Sequence, residues 1–445
     1  MDADSVERSV LDRIIPTPET ERELADKSSR LKSIVLEYVA SHGINAEVRF
    51  AGSYSKGTYL SNPDFDLFIM FPEDVPKEEM ERIGLQAGDD ILHGERIFSD
   101  HPYTRGFFEG VEVDMVPCYH LESTEHLRSA VDRTPFHTAY VMSRIDGDGK
   151  NQIRLLKKFM KGIGTYGAEQ DSRGFSGYLC ELLVIAYGSF RGVLEGCQKW
   201  KEGVSIVIEE RGPKFKEPLV VYDPVDPRRN VASAVHLDTM CRFMVAAKSY
   251  LNDPRDVFFF PVGMDIPDRD EIGREFDKRR TRLVSVSFPR PQAIEDSLHS
   301  QLWRTQTAIG KLLERNSFHV MRAAHLMTDE TLTAVFELDT DSLPPAIKHQ
   351  GPPVWVASSE DFLDRWKGLA HGEPFIEDGK WTVVVDRRYR DAKTCIDCER
   401  EYAGVGKSLD PMIMTVRDHD ATLRETDPSL LMEVLGAGFP WGPVS

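Results

Sequence analysis

The chain has few of the devices that hold secreted or membrane proteins together. Six cysteines among 445 residues cannot staple a chain this long. Four of them, Cys118, Cys180, Cys197 and Cys241, are scattered through apolar or mixed segments, so reduced thiols are expected. Cys395 and Cys398 make a CxxC, but no second ligand pair follows at a spacing that would complete a zinc site. The richest apolar stretch, Tyr178 to Phe190, is too short to span a bilayer and contains Glu181. Met1 to Arg13 alternates charged and apolar residues and lacks the apolar core of a signal peptide. These absences point to a soluble cytoplasmic protein with no membrane partner. Internal repeats and low-complexity tracts are also missing, so the chain is expected to fold throughout. Positive charge is in deficit, with 55 basic against 73 acidic residues for a net of −18. Taken whole, that balance disfavours a nucleic-acid partner. Salt screens fields beyond about 8 Å, however, so an approaching RNA responds to local patches more than to the total.

What is present reads as two or three domains, since 445 residues exceed what one core usually organises. The first part alternates helix and strand patterns in the manner of a compact α/β unit. Glu21 to His42 reads as a helix and Glu47 to Phe50 as a short strand. Phe65 to Phe71 is a nearly continuous apolar run stopped by Pro72, the pattern of a buried strand. Thr104 to Phe108 and Val111 to Val116 flank Glu109 and Gly110 as a hairpin would. Gln152 to Lys161 is expected to be a helix with Arg154, Lys157, Lys158 and Lys161 on one face and Ile153, Leu156 and Met160 on another. Further helices are expected over Gly177 to Phe190 and Val235 to Leu251, with connections at Asp223 to Arg228 and Asp253 to Asp270. Beyond them, strands at Thr281 to Phe288, Ser317 to Ala323, Thr331 to Leu338 and Trp381 to Asp386 mix with a helix from Gln292 to Arg315, a separate α+β region.

The chemistry gathers in the first part. Gly52-Ser53 follows a short strand and precedes a helical turn, where backbone N–H groups, a closely approaching glycine and a hydroxyl suit a triphosphate. Asp64 and Asp66 open the apolar strand, and residues two apart on a strand share a face about 6 to 7 Å apart. Asp114 lies inside Val-Glu-Val-Asp-Met-Val-Pro, where an acid costs stability unless it serves a purpose. If the two strands are neighbours, three carboxylates converge with open positions, as Mg²⁺ prefers. Paired ions there would stabilise the attacking and leaving oxygens of an in-line phosphoryl displacement, which is nucleotidyl transfer. Each piece alone has an ordinary reading as a turn or a solvated loop; the combination in this order carries the inference. The basic helix face around Lys157 could stabilise a triphosphate or simply be a solvated surface.

The surrounding segments VEVDMVPCY, SAVDRTPFH, RGFSGYLCELL and DPVDPRRNVA, running in order between Gly52 and Ala232, resemble the archaeal-type (class I) CCA-adding enzymes of the polymerase-beta-like nucleotidyltransferase superfamily. The resemblance implies an α+β multidomain protein. Its parts would be an N-terminal nucleotidyltransferase α/β head at 1–145, a mainly helical neck at 146–262 that selects the nucleotide, and a C-terminal α+β RNA-binding body with an inserted tail at 263–445. It implies Mg²⁺ held by Asp64, Asp66 and Asp114, with Asp114 placed to help deprotonate the tRNA 3′-hydroxyl. Gly52, Ser53, Lys56, His137, Lys157 and Tyr166 would form the nucleotide site, although Lys56 stands where the family typically has arginine, and a lysine keeps the charge but loses the bidentate fork. Arg229, with tRNA backbone phosphate, would accept C or A and exclude G and U; from the residues alone, Arg228 and Arg229 read first as a surface pair. His101 also falls in a matching segment, without a role assigned to it. The basic clusters Lys278-Arg279-Arg280 with Arg282, and Arg387-Arg388 with Arg390 and Lys393, could track acceptor-stem phosphates or sit at solvated strand ends. The expected activity is addition of C, C and A to tRNA from CTP and ATP by a homodimer. The alternatives are a poly(A) polymerase-like transferase, a catalytically silent RNA-binding protein of the same fold, or a zinc-organised module around Cys395.

Overall fold

The computed structural model describes residues 2–442 apart from 62, 98–100, 126, 130, 170–171, 264–265, 294 and 437. Ala130, Met264, Asp265 and Ile294, which belong to segments read above, therefore lie outside the described residues. The chain forms two compact units, Met1–Gly263 with Phe439–Ser445, and Met264–Gly438.

The first unit opens with helices α1 (Ala3–Ile14) and α2 (Pro18–Ser41). Helix α2 starts ahead of the expected Glu21 because Thr17 caps it, accepting from the Thr20 N–H, and Pro18 fits the first turn. A five-stranded sheet follows, built from β1 (Glu47–Phe50), β2 (Phe65–Phe71), β3 (Glu95–Ile97), β4 (Tyr103–Phe108) and β5 (Val111–Tyr119) in the order β1-β2-β5-β4-β3. Strand β2 pairs antiparallel with β1 and parallel with β5. Its Phe65, Leu67, Ile69 and Phe71 face one core and its Phe68 and Met70 another. Both faces of the strand are covered, which is why the run reads as continuously apolar. Strands β4 and β5 form the expected hairpin, with Glu109 at φ 48° and Gly110 at φ 84°. Positive φ at both central residues matches the twist of the flanking strands. Helices α3 (Gly52–Lys56) and α4 (Lys77–Leu92) connect the strands.

Helices α5 (Thr134–Arg144), α6 (Gly147–Gly162), α7 (Gly177–Tyr187), α8 (Phe190–Cys197) and α9 (Leu237–Asn252), with the short parallel pair β6 (Val204–Ile206) and β7 (Leu219–Val221), complete this unit. Their core is aromatic: Phe159, Phe190, Phe243, Tyr250 and Phe258 are fully buried. The stretch expected as one helix from Gly177 to Phe190 is two. Gly188 closes α7 in the left-handed region and Ser189 caps α8, accepting from the Gly192 N–H. The two turn by 87°, and among the described residues no single helix is long and apolar enough to cross a membrane. Trp441 stacks on Phe258, and Phe439 and Trp441 pack into this core.

The second unit contains α10 (Arg269–Arg279), β8 (Arg282–Pro289), α11 (Glu295–Arg315), β9 (Val320–Met327), β10 (Thr331–Leu338), β11 (Ala346–Pro353), α12 (Ser358–Trp366), β12 (Phe375–Glu377), β13 (Lys380–Asp386), α13 (Ala392–Glu399), β14 (Thr415–Arg417), α14 (His419–Glu425) and α15 (Pro428–Leu435). Its sheets run β14-β8-β10-β9 and β11-β13-β12. The strand expected from Ser317 begins at Val320, because Ser317 sits at φ 71° and cannot extend a ladder.

Candidate active site

Register brings the carboxylates together. In the parallel β2–β5 pair Asp66 stands directly opposite Asp114, and Asp64 lies just before β2, exposed. Burial first, then the charges of Asp114 and Asp64, push the Asp66 carboxyl up to about 6. The charges of Lys56 and Arg105 offset this only in part, and no side-chain hydrogen bond to it is present among the described residues. Asp114 is differently placed. Arg105, its cross-strand partner on β4, forks onto it, with Nε donating to Oδ1 at 2.7 Å and a terminal nitrogen donating to Oδ2 at 2.8 Å. Arg105 also reaches Glu112 at 3.2 Å. Accordingly no three carboxylate, imidazole or thiol groups stand as a preformed metal-holding cluster among the described residues. Asp66 and Asp114 are paired in register, and Arg105 occupies both oxygens of Asp114. The donor set still fits a divalent ion: a desolvated carboxylate beside two others is the arrangement a hard cation relieves.

Gly52 has φ +63°, and a Cβ there would fall 1.7 Å from Asp66 Oδ2. The glycine therefore lets the backbone pass directly over the carboxylate. Beside it opens a cavity of about 390 Å³, of the size that takes a nucleotide. The lining collects Gly52, Ser53, Lys56, Asp66, His137, Lys157, Tyr166 and Arg229, together with Arg133, Tyr178 and Glu181. Asp64 and Asp114 do not line it.

The stripe on α6 divides. Arg154 and Lys157 are buried, whereas Lys161 is exposed, so the solvated-face reading fails for the first two. Arg154 Nε donates to the Tyr59 carbonyl at 3.1 Å. Lys157 Nζ donates to Glu181 Oε1 at 2.9 Å and to Thr58 Oγ1 at 3.0 Å, while Lys56 Nζ donates to Glu181 Oε2 at 2.5 Å. Thr58 Oγ1 donates to Glu181 Oε1 at 2.6 Å. Burial would raise the Glu181 carboxyl, but the two ammoniums and the hydroxyl outweigh it and hold it down to about 2. Burial also pulls Lys56 below its usual range while Glu181 pulls the other way. The lining sets four basic side chains, Lys56, Arg133, Lys157 and Arg229, against the acids Asp66 and Glu181, a balance of charge suited to phosphate.

A second buried carboxylate, Asp223, holds three residues of the lining, His137, Tyr178 and Arg229. Asp223 Oδ2 accepts from His137 Nε2 at 2.8 Å and from an Arg229 terminal nitrogen at 3.1 Å, while Oδ1 accepts from Tyr178 Oη and the Val225 N–H, both at 3.1 Å. His137 stacks on Tyr178 with centroids 4.1 Å apart. Burial lowers the His137 imidazole against the pull of Asp223. Asp226, also buried, accepts from Arg133 Nε and Arg228 Nε at 3.0 Å each. Tyr166 is raised above its usual range by burial. His101 donates from Nε2 to the Pro117 carbonyl at 2.5 Å.

Glu181, Asp223 and Asp226 were not singled out as site residues from sequence. Glu181 was visible as an acid in an apolar helix; the two aspartates looked like ordinary turn residues. In the second unit, Arg279 engages Glu337 and the Leu435 carbonyl, Arg388 pairs with Glu399 and Lys393 with Asp397. These basic clusters are therefore partly spent on internal contacts. Cys395 is buried and Cys398 exposed, both as free thiols.

Comparison with known proteins covers most of the chain. Residues 29–137 match the nucleotidyltransferase domain family, 151–260 the second domain of tRNA nucleotidyltransferase, and 279–418 the C-terminal domain of the CCA-adding enzyme. A CCA-adding enzyme of Picrophilus torridus is 38% identical over 395 residues, covering 87% of this chain and 90% of the relative. That of Methanosarcina barkeri is 38% identical over 416 residues, covering 90% of each. A solved structure of the Cid1 poly(U) polymerase superposes with a TM-score of 0.46 at 15% identity, over 57% of this chain and 97% of that one.

Proposed function

The chain belongs to the CCA-adding enzymes, nucleotidyltransferases that extend tRNA 3′ ends without a template, and we propose that the cavity beside Asp66 is where it carries that reaction out. The match of 279–418 to the CCA-adding C-terminal domain favours this reading over a poly(A) polymerase-like transferase. Enzymes of this fold use divalent metal, and we take the ion to be Mg²⁺, held by Asp64, Asp66 and Asp114. When bound, it lowers the barrier by neutralising the charge that develops on the reacting phosphate.

The observation that carries the site is the β2–β5 register, which sets Asp66 opposite Asp114 at the edge of a positively charged cavity. Lys56 and Lys157 draw in the triphosphate and stabilise charge on the departing pyrophosphate. Ser53 adds a hydroxyl donor, and His137 and Tyr166 bound the ribose. Asp114, released from Arg105, accepts the proton of the tRNA 3′-hydroxyl. Arg229 presents its guanidinium to the base edge of CTP or ATP. The head, neck and body at 1–145, 146–262 and 263–445 remain our working division, with the body gripping the acceptor arm. We further propose a cytoplasmic homodimer; light scattering should give about twice the 50.5 kDa chain mass, and a monomeric mass would remove that element. The site assignment is tested by Asp66→Asn, which should leave a folded protein without CMP transfer; full transfer by this variant would refute it.

A further inference from the structure

Asp223 is fully buried, yet it contacts four groups that come from three separate segments. The His137 imidazole arrives from α5, the Tyr178 hydroxyl from α7, and the Arg229 guanidinium and Val225 N–H from its own turn. The turn is closed at both ends by backbone bonds, from the Asp223 N–H to the Arg229 carbonyl at 3.2 Å and from the Arg229 N–H to the Asp226 carbonyl at 2.9 Å. The guanidinium is thus fixed at its root by the turn and at one nitrogen by the carboxylate, while its side chain stays 41% exposed. A long side chain left unanchored would sample many rotamers, and the donors it offers a base edge would lose their fixed direction.

We propose that Asp223 is the positioning residue behind nucleotide selection, holding Arg229 and His137 in one relative pose so that the donors facing the cavity match C or A and mismatch G or U. This rests on the reading that Arg229 reads the base. Asp223 itself is buried beneath the pair and acts through them. Because both Arg229 and His137 bond the same oxygen, Oδ2, a displacement of either is felt by the other, which links base recognition to the group beside the ribose. Loss of the negative charge should therefore cost discrimination more than it costs chemistry. An asparagine keeps the shape and can still accept from Tyr178, but it no longer holds the guanidinium by a charge-assisted bond.

The test is kcat/KM for CTP, ATP, GTP and UTP on tRNA lacking CCA, and on tRNA ending in CC, for the wild type, Asp223→Asn, Arg229→Ala and the double variant. Asp223→Asn and Arg229→Ala should each lower the ratio of correct to incorrect nucleotide by roughly tenfold or more, the scale of one lost charge-assisted hydrogen bond. The change should lie mainly in KM, and the double variant should lose little beyond Arg229→Ala alone. Equal loss for all four nucleotides with the ratio unchanged would overturn the proposal, as would additive losses in the double variant. If Arg229→Ala leaves the ratio intact while transfer persists, Arg229 does not read the base; the proposal then falls with that reading, and the enzyme assignment stands. Tyr178→Phe, which removes one bond to Asp223, is the variant to use if Asp223→Asn does not fold. It should move the ratio in the same direction by less, and an unchanged ratio would count against the proposal.

Discussion

At Gly52 two constraints coincide: a left-handed φ and a carboxylate occupying the space where a side chain would begin. Gly52→Ala must move either the turn or Asp66. A displacement of about 1 Å at a reacting group costs on the order of a hundredfold in rate, so kcat for CMP transfer should fall about that much with the fold retained by circular dichroism. Arg105 presents the opposite case, a residue whose removal should strengthen binding. It occupies both oxygens of Asp114, so Arg105→Ala should bind Mn²⁺ several-fold more tightly in the absence of nucleotide, measured by electron paramagnetic resonance. Unchanged affinity would show that the fork does not compete with the ion. Glu181 couples the site to stability. Removing the one acid that two buried lysines share leaves charge uncompensated, so Glu181→Gln should cost about 3 to 5 kcal/mol in denaturant unfolding at neutral pH. The folded carboxyl titrates near 2, below its ordinary 4.5, so this stabilisation is fully present above 4.5 and is lost as pH falls towards 2. The gap between wild type and variant should close over that window.

Among the elements, α6 carries the heaviest duty, since its buried face holds Arg154 and Lys157 and its end packs against backbone. A Cβ on Gly162 would meet the Phe258 carbonyl oxygen at 2.1 Å. Backbone cannot yield as a side-chain tip can, so Gly162→Ala should destabilise by about 1 to 3 kcal/mol and lower the melting temperature, the usual cost of overpacking. The same helix shows what the sequence can and cannot reveal. Its period was plain, and so was the β2 run with Asp66 at its mouth, because binary pattern is a local property. That Arg154 and Lys157 turn inward while Lys161 stays exposed depends on what faces them, Glu181 and the Tyr59 carbonyl, and these lie far away in the chain. Asp223 is hidden for the same reason: Asp-Pro-Val-Asp-Pro has the composition of any turn, and only the fold shows its carboxylate buried against a histidine and an arginine. The continuous apolar pattern from Gly177 to Phe190 hides the break at Gly188-Ser189, where the structure shows a left-handed cap followed by a capping hydroxyl.

At the scale of the whole molecule, a net charge of −18 coexists with a cavity whose lining has more basic than acidic side chains, so charge distribution, not total charge, decides which anion is admitted. The first unit supplies that cavity and the paired carboxylates; the second matches the CCA-adding C-terminal domain over 279–418. CCA addition calls on both, since the transfer chemistry by itself does not choose tRNA. The most direct test is to incubate the purified full chain and Mg²⁺ with tRNA lacking its 3′-terminal CCA, supplying labelled CTP and ATP singly and together, and to read the products at single-nucleotide resolution. Two additions with CTP alone and a third, final A when both nucleotides are present are expected, with none from Asp66→Asn. A homopolymer of A on unrelated RNA, or no incorporation at all by the wild type, would contradict the account.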